Sequence, residues 1–280
     1  MDKYVSAIIT TKNSEKTLDA CLRSIENQSY KKIETIIVDN FSTDKTIEIA
    51  KKYTKNIYIF GDERSIQRNL GAKKAKGDIL LFIDSDMELT ENVVSESFLK
   101  IKLGFGGVYI PEITKGNSLW SKIRTYERSF YDETPIDAIR CIDKKIFEKI
   151  GGFDENLTGP EDWDLTKRLL QIAKTTSIKA PLYHHEQIHS AFSLAKKKLY
   201  YAQGLEKYKK KWGKNDIYVK KQFDPSYRLC KVFFEDKKWI KIIYYPHFFI
   251  ILIINKLIFA IIFKCLLIID SFVKKKAFKI

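Results

Sequence analysis

The sequence predicts an α/β chain built on a doubly wound, largely parallel sheet flanked by helices. Three observations carry this prediction. Apolar runs of strand length alternate with helical patterns up to about residue 90, Ile79 to Ile83 are consecutively apolar, and three of the predicted strands end in clusters of polar side chains. Strands separated by helices pair in parallel through right-handed crossovers. A run that is apolar on both faces is a strand covered on both sides.

Taken in order, Tyr4 to Thr10 reads as a strand, and Asn13-Ser14 opens a helix in which Leu18, Cys21, Leu22 and Ile25 recur at i, i+3, i+4 and i+7. Ile33 to Val38 is a second strand, Asp44 starts a helix running to Lys52, Ile57 to Phe60 is a third strand, and Ser65 to Lys76 is a third helix. The run from Ile79 is entered from Gly77 and ends in Asp84-Ser85-Asp86. Farther on, Val108 to Ile110 and Ile139 to Ile142 read as strands around a segment, Trp120 to Tyr131, that carries Arg124 and Arg128 among aromatic residues. Lys144 to Lys149 is a short helix released by Gly151-Gly152, and Gly159-Pro160-Glu161-Asp162-Trp163-Asp164 opens another helix with Arg168 one turn in. Ala180 to Glu186 is extended, so that His184 and His185 point to opposite sides and one of them can face a site.

The formal charge of +15, from 50 Lys and Arg against 35 Asp and Glu, favours an anionic partner. No helix-turn-helix, zinc-finger or RNP pattern points to nucleic acid. The four cysteines, Cys21, Cys141, Cys230 and Cys265, are far apart without a CxxC pair, which excludes a zinc ribbon or a disulfide framework and predicts reduced, mostly buried thiols. The apolar run Val5 to Ile9 is too short for a signal-peptide core, and a cytoplasmic catalytic part is expected.

Open α/β sheets bind ligands beyond the carboxyl ends of their strands. Those ends read Thr10-Thr11-Lys12-Asn13, Val38-Asp39-Asn40-Phe41-Ser42-Thr43-Asp44 and Asp84-Ser85-Asp86. Asp39 can accept from a base or ribose donor, while Ser42 and Asp44 suit a turn and a helix cap. Asp84 and Asp86 would repel one another, and a hard divalent cation relieves that repulsion while holding a diphosphate. Glu161 and Asp164 are also what a helix dipole favours in a first turn.

Taken in order, TTKN, VDNFSTDKT, QRNLGAKKAKGD before FIDSD, GGFDE, GPEDWDLTKR and YHHE resemble the family 2 glycosyltransferases with the GT-A fold, over about residues 4–210. The resemblance implies a Rossmann-like mixed sheet and an inverting transfer of a hexose from a UDP- or GDP-sugar, dependent on Mn2+ or Mg2+. It also implies roles. Thr11 and Asp39 become nucleotide contacts, with Asn13, Glu161 and Arg168 also on the substrate side; Arg68, Asn69 and Gly71 belong to the motif ahead of the metal site. Asp86 and Asp84 become the metal and diphosphate pair, with Asp86 the direct ligand and Asp84 on ribose or a metal-bound water. Asp162 becomes the catalytic base and His184 a third metal ligand. The chain departs from the family pattern where Pro-x-Tyr-Asn is Thr10-Thr11-Lys12-Asn13, where Asp-Gly-Ser is Asn40-Phe41-Ser42, and where the Gly after His-His-Glu is Gln187.

From Ile242 to Ile269 the chain is almost wholly apolar, interrupted by Pro246, His247, Asn255, Lys256 and Lys264 and flanked by lysines. Its length suits a bilayer, but Lys256 near the middle is costly there, so two shorter interfacial or re-entrant helices are expected, with a spanning helix the alternative. The chain thus divides into a catalytic domain over 1–215, a linker over 216–240 and a membrane-associating region over 241–280. A cytoplasmic membrane face implies an acceptor carried on a polyprenyl phosphate, with the Lys-rich stretch Lys196 to Lys214 beside it. A membrane-bound nucleotide-sugar or glycan-binding protein of the same fold, without catalysis, is the rival reading. A nucleotidyltransferase is disfavoured because no Gly-rich loop with a basic residue follows the first strand.

Overall fold

The computed structural model describes residues 4–186 and 191–258, with side chains from 200 onward in the second stretch. The main sheet has seven strands in the order β3-β2-β1-β4-β8-β6-β9. These are β1 (Val5–Thr11), β2 (Ile33–Asp39), β3 (Ile57–Ile59), β4 (Ile79–Asp84), β6 (Gly107–Tyr109), β8 (Ile139–Asp143) and β9 (Thr175–Ser177). A second sheet joins β5 (Met87–Leu89), β10 (Leu182–His184) and β7 (Glu112–Thr114) in that order.

The first half follows the expectation of a parallel sheet. β1 pairs in parallel with β2 and β4, and β2 with β3. The chain lays β2 and β3 to one side of β1 and β4 to the other, so the strand order reverses at β1, where such folds bind their ligands. Register sets Thr11 opposite Asp39 and Thr10 opposite Asp84, which gathers the three polar strand ends on one rim. The parallel pattern stops at β4. β8 runs antiparallel to β4, and β6 antiparallel to β8, which makes the sheet mixed.

Helices α1 (Leu18–Glu26), α2 (Thr46–Ala50), α3 (Arg64–Lys74), α4 (Val93–Lys102), α5 (Leu119–Arg128), α6 (Lys144–Lys149), α7 (Glu161–Leu170) and α8 (Ala191–Trp212) surround the sheets. In α1 the buried residues are Leu18, Cys21, Leu22 and Ile25, the predicted inward stripe. The alternate faces of β1 and β4 feed two apolar clusters: Val5, Ala7, Ile9, Leu81 and Ile83 meet α1 and α4, while Ile8, Leu80 and Phe82 meet α3, α6 and α7. Helix α3 lies so close to β1 that a Cβ on Gly71 would stand 2.4 Å from Ile8 Cγ2. Helix α8 approaches the turn before α7 as closely, since a Cβ on Gly204 would stand 2.0 Å from the Thr158 carbonyl oxygen.

Residues 216–240, expected as a linker, fold instead. Helices α9 (Ile217–Phe223) and α10 (Pro225–Leu229) and two 3-10 turns follow α8, and Tyr227, Val232 and Phe233 are buried with Ile123, Tyr126 and Phe130 around α5. Asp216 and Asp224 cap α9 and α10 by accepting from Tyr218 and Ser226 backbone N–H groups. Next come α11 (Ile240–Tyr244) and α12 (Pro246–Ile258), and the helical stretch Glu235–Tyr244 is bent by 110° from α12. No single helix among the described residues is long and apolar enough to cross a membrane. Lys256, the awkward charge of the apolar stretch, points inward, its Nζ lying 2.8 Å from Tyr131 Oη and 3.0 Å from Glu127 Oε1. The expectation of membrane helices continues over 259–280, which lie outside the described residues. Of the described thiols, Cys21 and Cys141 are buried and Cys230, on the turn after α10, is exposed.

Candidate active site

The rim begins with a locked carboxylate. Asp39 is buried and accepts from Thr11 Oγ1 at 2.6 Å, Ser42 Oγ at 2.6 Å and the Ser42 backbone N–H at 2.7 Å. Asn13 ties the same loop down, its Oδ1 accepting from the Thr43 N–H at 2.9 Å and its own N–H donating to Ser42 Oγ at 2.8 Å. Asn13 sits at φ 48°, a left-handed conformation that asparagine tolerates. Phe41, which stands where the family pattern has glycine, takes the same conformation at φ 47° with its ring 63% exposed. Asp44 accepts from the backbone N–H groups of Thr46 and Glu15, as a turn and helix-start residue does.

Helix α3 aims its first two turns at this rim. Gln67 donates to the Val38 carbonyl at 2.6 Å, and Arg68 joins two carboxylates beneath the rim. The Arg68 Nη2 donates to Asp84 Oδ1 at 2.7 Å and Nη1 to Asp162 Oδ1 at 2.7 Å. Arg68 is buried, which makes this clasp a fixed part of the structure. Burial alone would raise the Asp84 pKa, but Arg68, with Arg140 and Arg64 beyond it, holds that carboxyl well below the usual range.

Asp162 reaches the Arg68 guanidinium because α7 begins there. Its neighbours are otherwise engaged: Glu161 accepts from the Gly159 N–H at 2.6 Å and pairs with Arg64 at 3.1 Å, and Asp164 accepts from Arg168 and from Trp212 Nε1, each at 2.8 Å. Burial, followed by the adjacent Asp162 charge, raises the Glu161 pKa. Asp162 alone of the three keeps a partly exposed carboxylate, 28% accessible. Arg168 and Asn69 lie away from the cleft. Arg168 braces Asp164 and the Ile150 carbonyl, and Asn69 holds the Gly152-Phe153 turn through the Phe153 N–H and carbonyl at 2.9 Å each. Gly71 serves packing against Ile8.

The opposite wall comes from the small sheet. Antiparallel pairing of β10 with β5 sets His184 beside Met87, directly after Asp86, and the His185 N–H donates to the Asp86 carbonyl at 2.8 Å. His184 Nε2 then lies 3.4 Å from Asp86 Oδ2, while His185 turns away to pair with Glu88. Burial would lower the His184 pKa, but hydrogen bonding to Asp86 and Glu112 on either side outweighs it and pushes it up to about 9. Asp86 is 42% exposed. A carboxylate and an imidazole converging in a cleft fit a hard divalent cation, which takes one or two protein ligands and completes its shell with phosphate oxygens and water. Among the described residues no group of three or more His, Cys, Asp or Glu side chains is arranged to hold a metal ion, and Asp84 is spent on arginines.

Between these walls lies a cleft of about 270 Å³ lined by Thr10, Thr11, Lys12, Ser14, Arg64, Gln67, Asp84, Ser85, Asp86 and His184. Sequence reasoning assigned no role to Lys12 or Arg64, although both put cations on the cleft. It also missed Glu112, Arg140 and Glu186. Arg140 donates to Glu112 Oε1 and approaches Asp84 at 3.6 Å, Glu112 pairs with Arg128, Arg128 with Glu186, and Glu186 with Arg124. Arg124 and Arg128, noted in the sequence without a function, thus back the rim with a chain of alternating charges.

Residues 6–155, more than half of the chain, match the family described as glycosyl transferase family 2. The chain belongs to glycosyl transferase family 2. This family 2 chain is 32% identical over 159 residues to a poly(ribitol-phosphate) beta-glucosyltransferase of Bacillus spizizenii, covering 52% of the chain and 24% of that protein. It thus spans about a quarter of that relative's length. Among solved structures it resembles Staphylococcus aureus TarS 1-349 in complex with UDP-GlcNAc, with a TM-score of 0.54 at 22% identity over 68% of this chain and 60% of that one. It also resembles the mannosyltransferase PcManGT of Pyrobaculum calidifontis in complex with GDP-Man and Mn2+, with a TM-score of 0.60 at 15% identity over 88% of this chain and 76% of that one. At these identities the two structures establish the shared GT-A fold of the family 2 chain.

Proposed function

We propose that this chain is an inverting glycosyltransferase that moves a hexose from a UDP- or GDP-sugar to a hydroxyl of a phosphate-bearing acceptor at the cytoplasmic face of a membrane. One observation carries the reading: Arg68 clasps Asp84 at the end of β4 and Asp162 at the start of α7, each at 2.7 Å, beside the cleft that Asp84 lines. A base must stand on the side of the sugar opposite the leaving diphosphate, and this clasp fixes Asp162 relative to the rim that receives the nucleotide.

In the mechanism the loop around Asp39, braced by Thr11, Asn13 and Ser42, bounds the nucleoside end. Lys12 and Arg64 present cations to the diphosphate. Asp86 and His184 would hold a divalent cation, which would supply Lewis-acid charge for the departing diphosphate. Asp162 Oδ takes the proton of the acceptor hydroxyl as that oxygen attacks the anomeric carbon, the new glycosidic bond forms, and the bond to the diphosphate oxygen breaks with its electron pair leaving on the nucleotide. Configuration inverts and no covalent intermediate forms.

The membrane part of the proposal draws on the C-terminal helices. Lys256 turns into the protein, whereas Ile243, Tyr244, Ile250, Ile254 and Leu257 are each about half exposed or more. An apolar face beside a strongly basic chain suits a helix pair lying in an anionic interface. The acceptor is then a glycan on polyprenyl phosphate. A panel of UDP- and GDP-sugars, with and without Mn2+ or Mg2+, offered to extracted lipid-linked glycans tests the reading. Metal-stimulated nucleotide release with sugar appearing on lipid is expected. No release and no metal-dependent nucleotide binding across the panel sinks it in favour of a binding protein; transfer to a soluble polymer alone removes the lipid acceptor. Failure to float with anionic liposomes removes the membrane.

A further inference from the structure

Glu112 belongs to none of the motifs that carry the family resemblance, yet it touches His184 on the cleft wall and Arg140, which approaches Asp84. Its Oε1 accepts from Arg140 Nε at 2.9 Å and Nη2 at 2.5 Å, and its Oε2 pairs with Arg128 and lies 3.3 Å from His184 Nδ1. The other His184 nitrogen, Nε2, faces Asp86 Oδ2 at 3.4 Å. The imidazole is therefore suspended between two carboxylates, and only the Asp86 side opens on the cleft.

An imidazole ligates a cation through the nitrogen that lacks a proton, and the partner of the other nitrogen decides which one that is. His184 Nδ1 has two neighbours, Glu112 Oε2 and Arg128 Nη2, the latter at 3.1 Å. A guanidinium only donates and a carboxylate only accepts. If Nδ1 accepted from Arg128, a neutral ring would carry its hydrogen on Nε2, closed to a cation. If Nδ1–H donates to Glu112, the remaining proton is the one on Nε2 facing Asp86, and a cation beside Asp86 would displace it and meet the Nε2 lone pair. Arg128 has other acceptors, Glu112 for Nη1 and Glu186 for one hydrogen of Nη2, whereas the two carboxylates beside the ring have only donors to accept from.

We infer that Glu112 is a positioning residue that fixes His184 in the Nδ1–H form and thereby turns Nε2 toward Asp86 as the second protein ligand of a divalent cation. The inference rests on the proposed cation site at Asp86 and His184. Because Arg140 reaches both Glu112 and Asp84, the same carboxylate also keeps the cation side of the cleft in step with the Arg68 clasp.

The test follows Mn2+ uptake by the full chain in the presence of UDP and, separately, GDP, using the electron paramagnetic resonance signal of free Mn2+. Glu112→Gln keeps one acceptor oxygen for Arg140 but puts an NH2 where Arg128 and His184 faced an acceptor, and it is expected to weaken Mn2+ affinity roughly 10- to 100-fold relative to metal-free nucleotide binding. In a His184→Ala background the same substitution is expected to cost nothing further; a purely structural role would cost the same in both backgrounds. A wild-type chain that takes up no Mn2+ with either nucleotide sinks the cation site and this inference with it. Uptake by wild type that is unchanged in Glu112→Gln overturns this inference alone. A check independent of variant folding is the 15N spectrum of histidine-labelled wild type with Mg2+ and nucleotide, His184 being identified by its loss in His184→Ala. A proton on Nδ1 is expected; a proton on Nε2 overturns the proposal.

Discussion

Asp84 and Asp162 share one guanidinium, each accepting from Arg68 at 2.7 Å. Asp162→Asn leaves this clasp nearly isosteric but removes the proton acceptor. Its kcat is expected to fall roughly 10²- to 10⁴-fold, the usual worth of general-base assistance, with nucleotide affinity by calorimetry unchanged. Near-normal turnover would take Asp162 out of the role of base.

The two carboxylates of Asp84-Ser85-Asp86 are expected to fail differently. Asp86 is exposed to the cleft beside His184, whereas Asp84 is held by Arg68 and by Arg140. Asp86→Asn should therefore abolish the Mn2+ dependence of nucleotide binding with little change in thermal midpoint. Asp84→Asn should lower the midpoint, because two buried arginines lose the charge they were paired with, a loss that in buried pairs costs on the order of 3–5 kcal/mol. Equal metal dependence in Asp86→Asn and wild type would move the ligand elsewhere.

The pH dependence of stability has a signature at Asp137. Burial pushes this carboxyl up to about 7, although the Glu133 and Ala138 N–H groups that donate to it work the other way. The folded chain thus keeps a proton there that the unfolded chain releases near the ordinary value of 3.8. Stability from this group is full below that value and is lost as pH rises toward 7. Asp84 has the opposite sign, since its lowered pKa gives stability present above the ordinary carboxyl range and lost as acid protonates it. Asp137→Asn is expected to flatten the fall of the urea midpoint between about pH 4 and 7; an unchanged slope would show that Asp137 ionises freely in the folded chain.

How far the sequence reveals this molecule depends on the range of the interaction. The strands through Ile83, the inward stripe of α1 and the three polar strand ends follow from periodicity, which is local, and the register of β1 merely brings those ends together. The reversal at β8 is not local: Ile139 to Ile142 reads as a strand whichever way it runs, and its pairing with β4 is set by packing across the sheet. The charge chain behind the cleft was hidden for the same reason, since Arg140 finds Glu112 and Arg128 finds Glu186 across long stretches of sequence. The folded segment at 216–240 is hidden because its buried apolar residues, Tyr227, Val232 and Phe233, follow no helical or strand period and acquire meaning only against α5. Lys256 reads from sequence as an obstacle to a spanning helix, which is a statement about solvent, and its partner Glu127 lies on a helix distant in sequence.

That last pair yields a prediction of its own. Lys256 Nζ lies 3.0 Å from Glu127 Oε1, donates to Tyr131 and to the Arg228 carbonyl, and is about one-seventh exposed. Burial lowers its pKa, with the Glu127 charge working against that loss. Lys256→Met would suit a helix surrounded by lipid, but here it strips Glu127 of a cation that Arg124 replaces only in part. The single variant is expected to lose about 3 kcal/mol, the scale of a buried pair broken from one side. The double variant Lys256→Met with Glu127→Gln should recover much of it, because no uncompensated charge is left inside. Both are measured by urea denaturation of the full chain in matched detergent. A Lys256→Met variant as stable as wild type would mean that α12 leaves α5 in solution, and the apolar stretch would then have to be read again as a segment that enters the bilayer with its lysine turned outward.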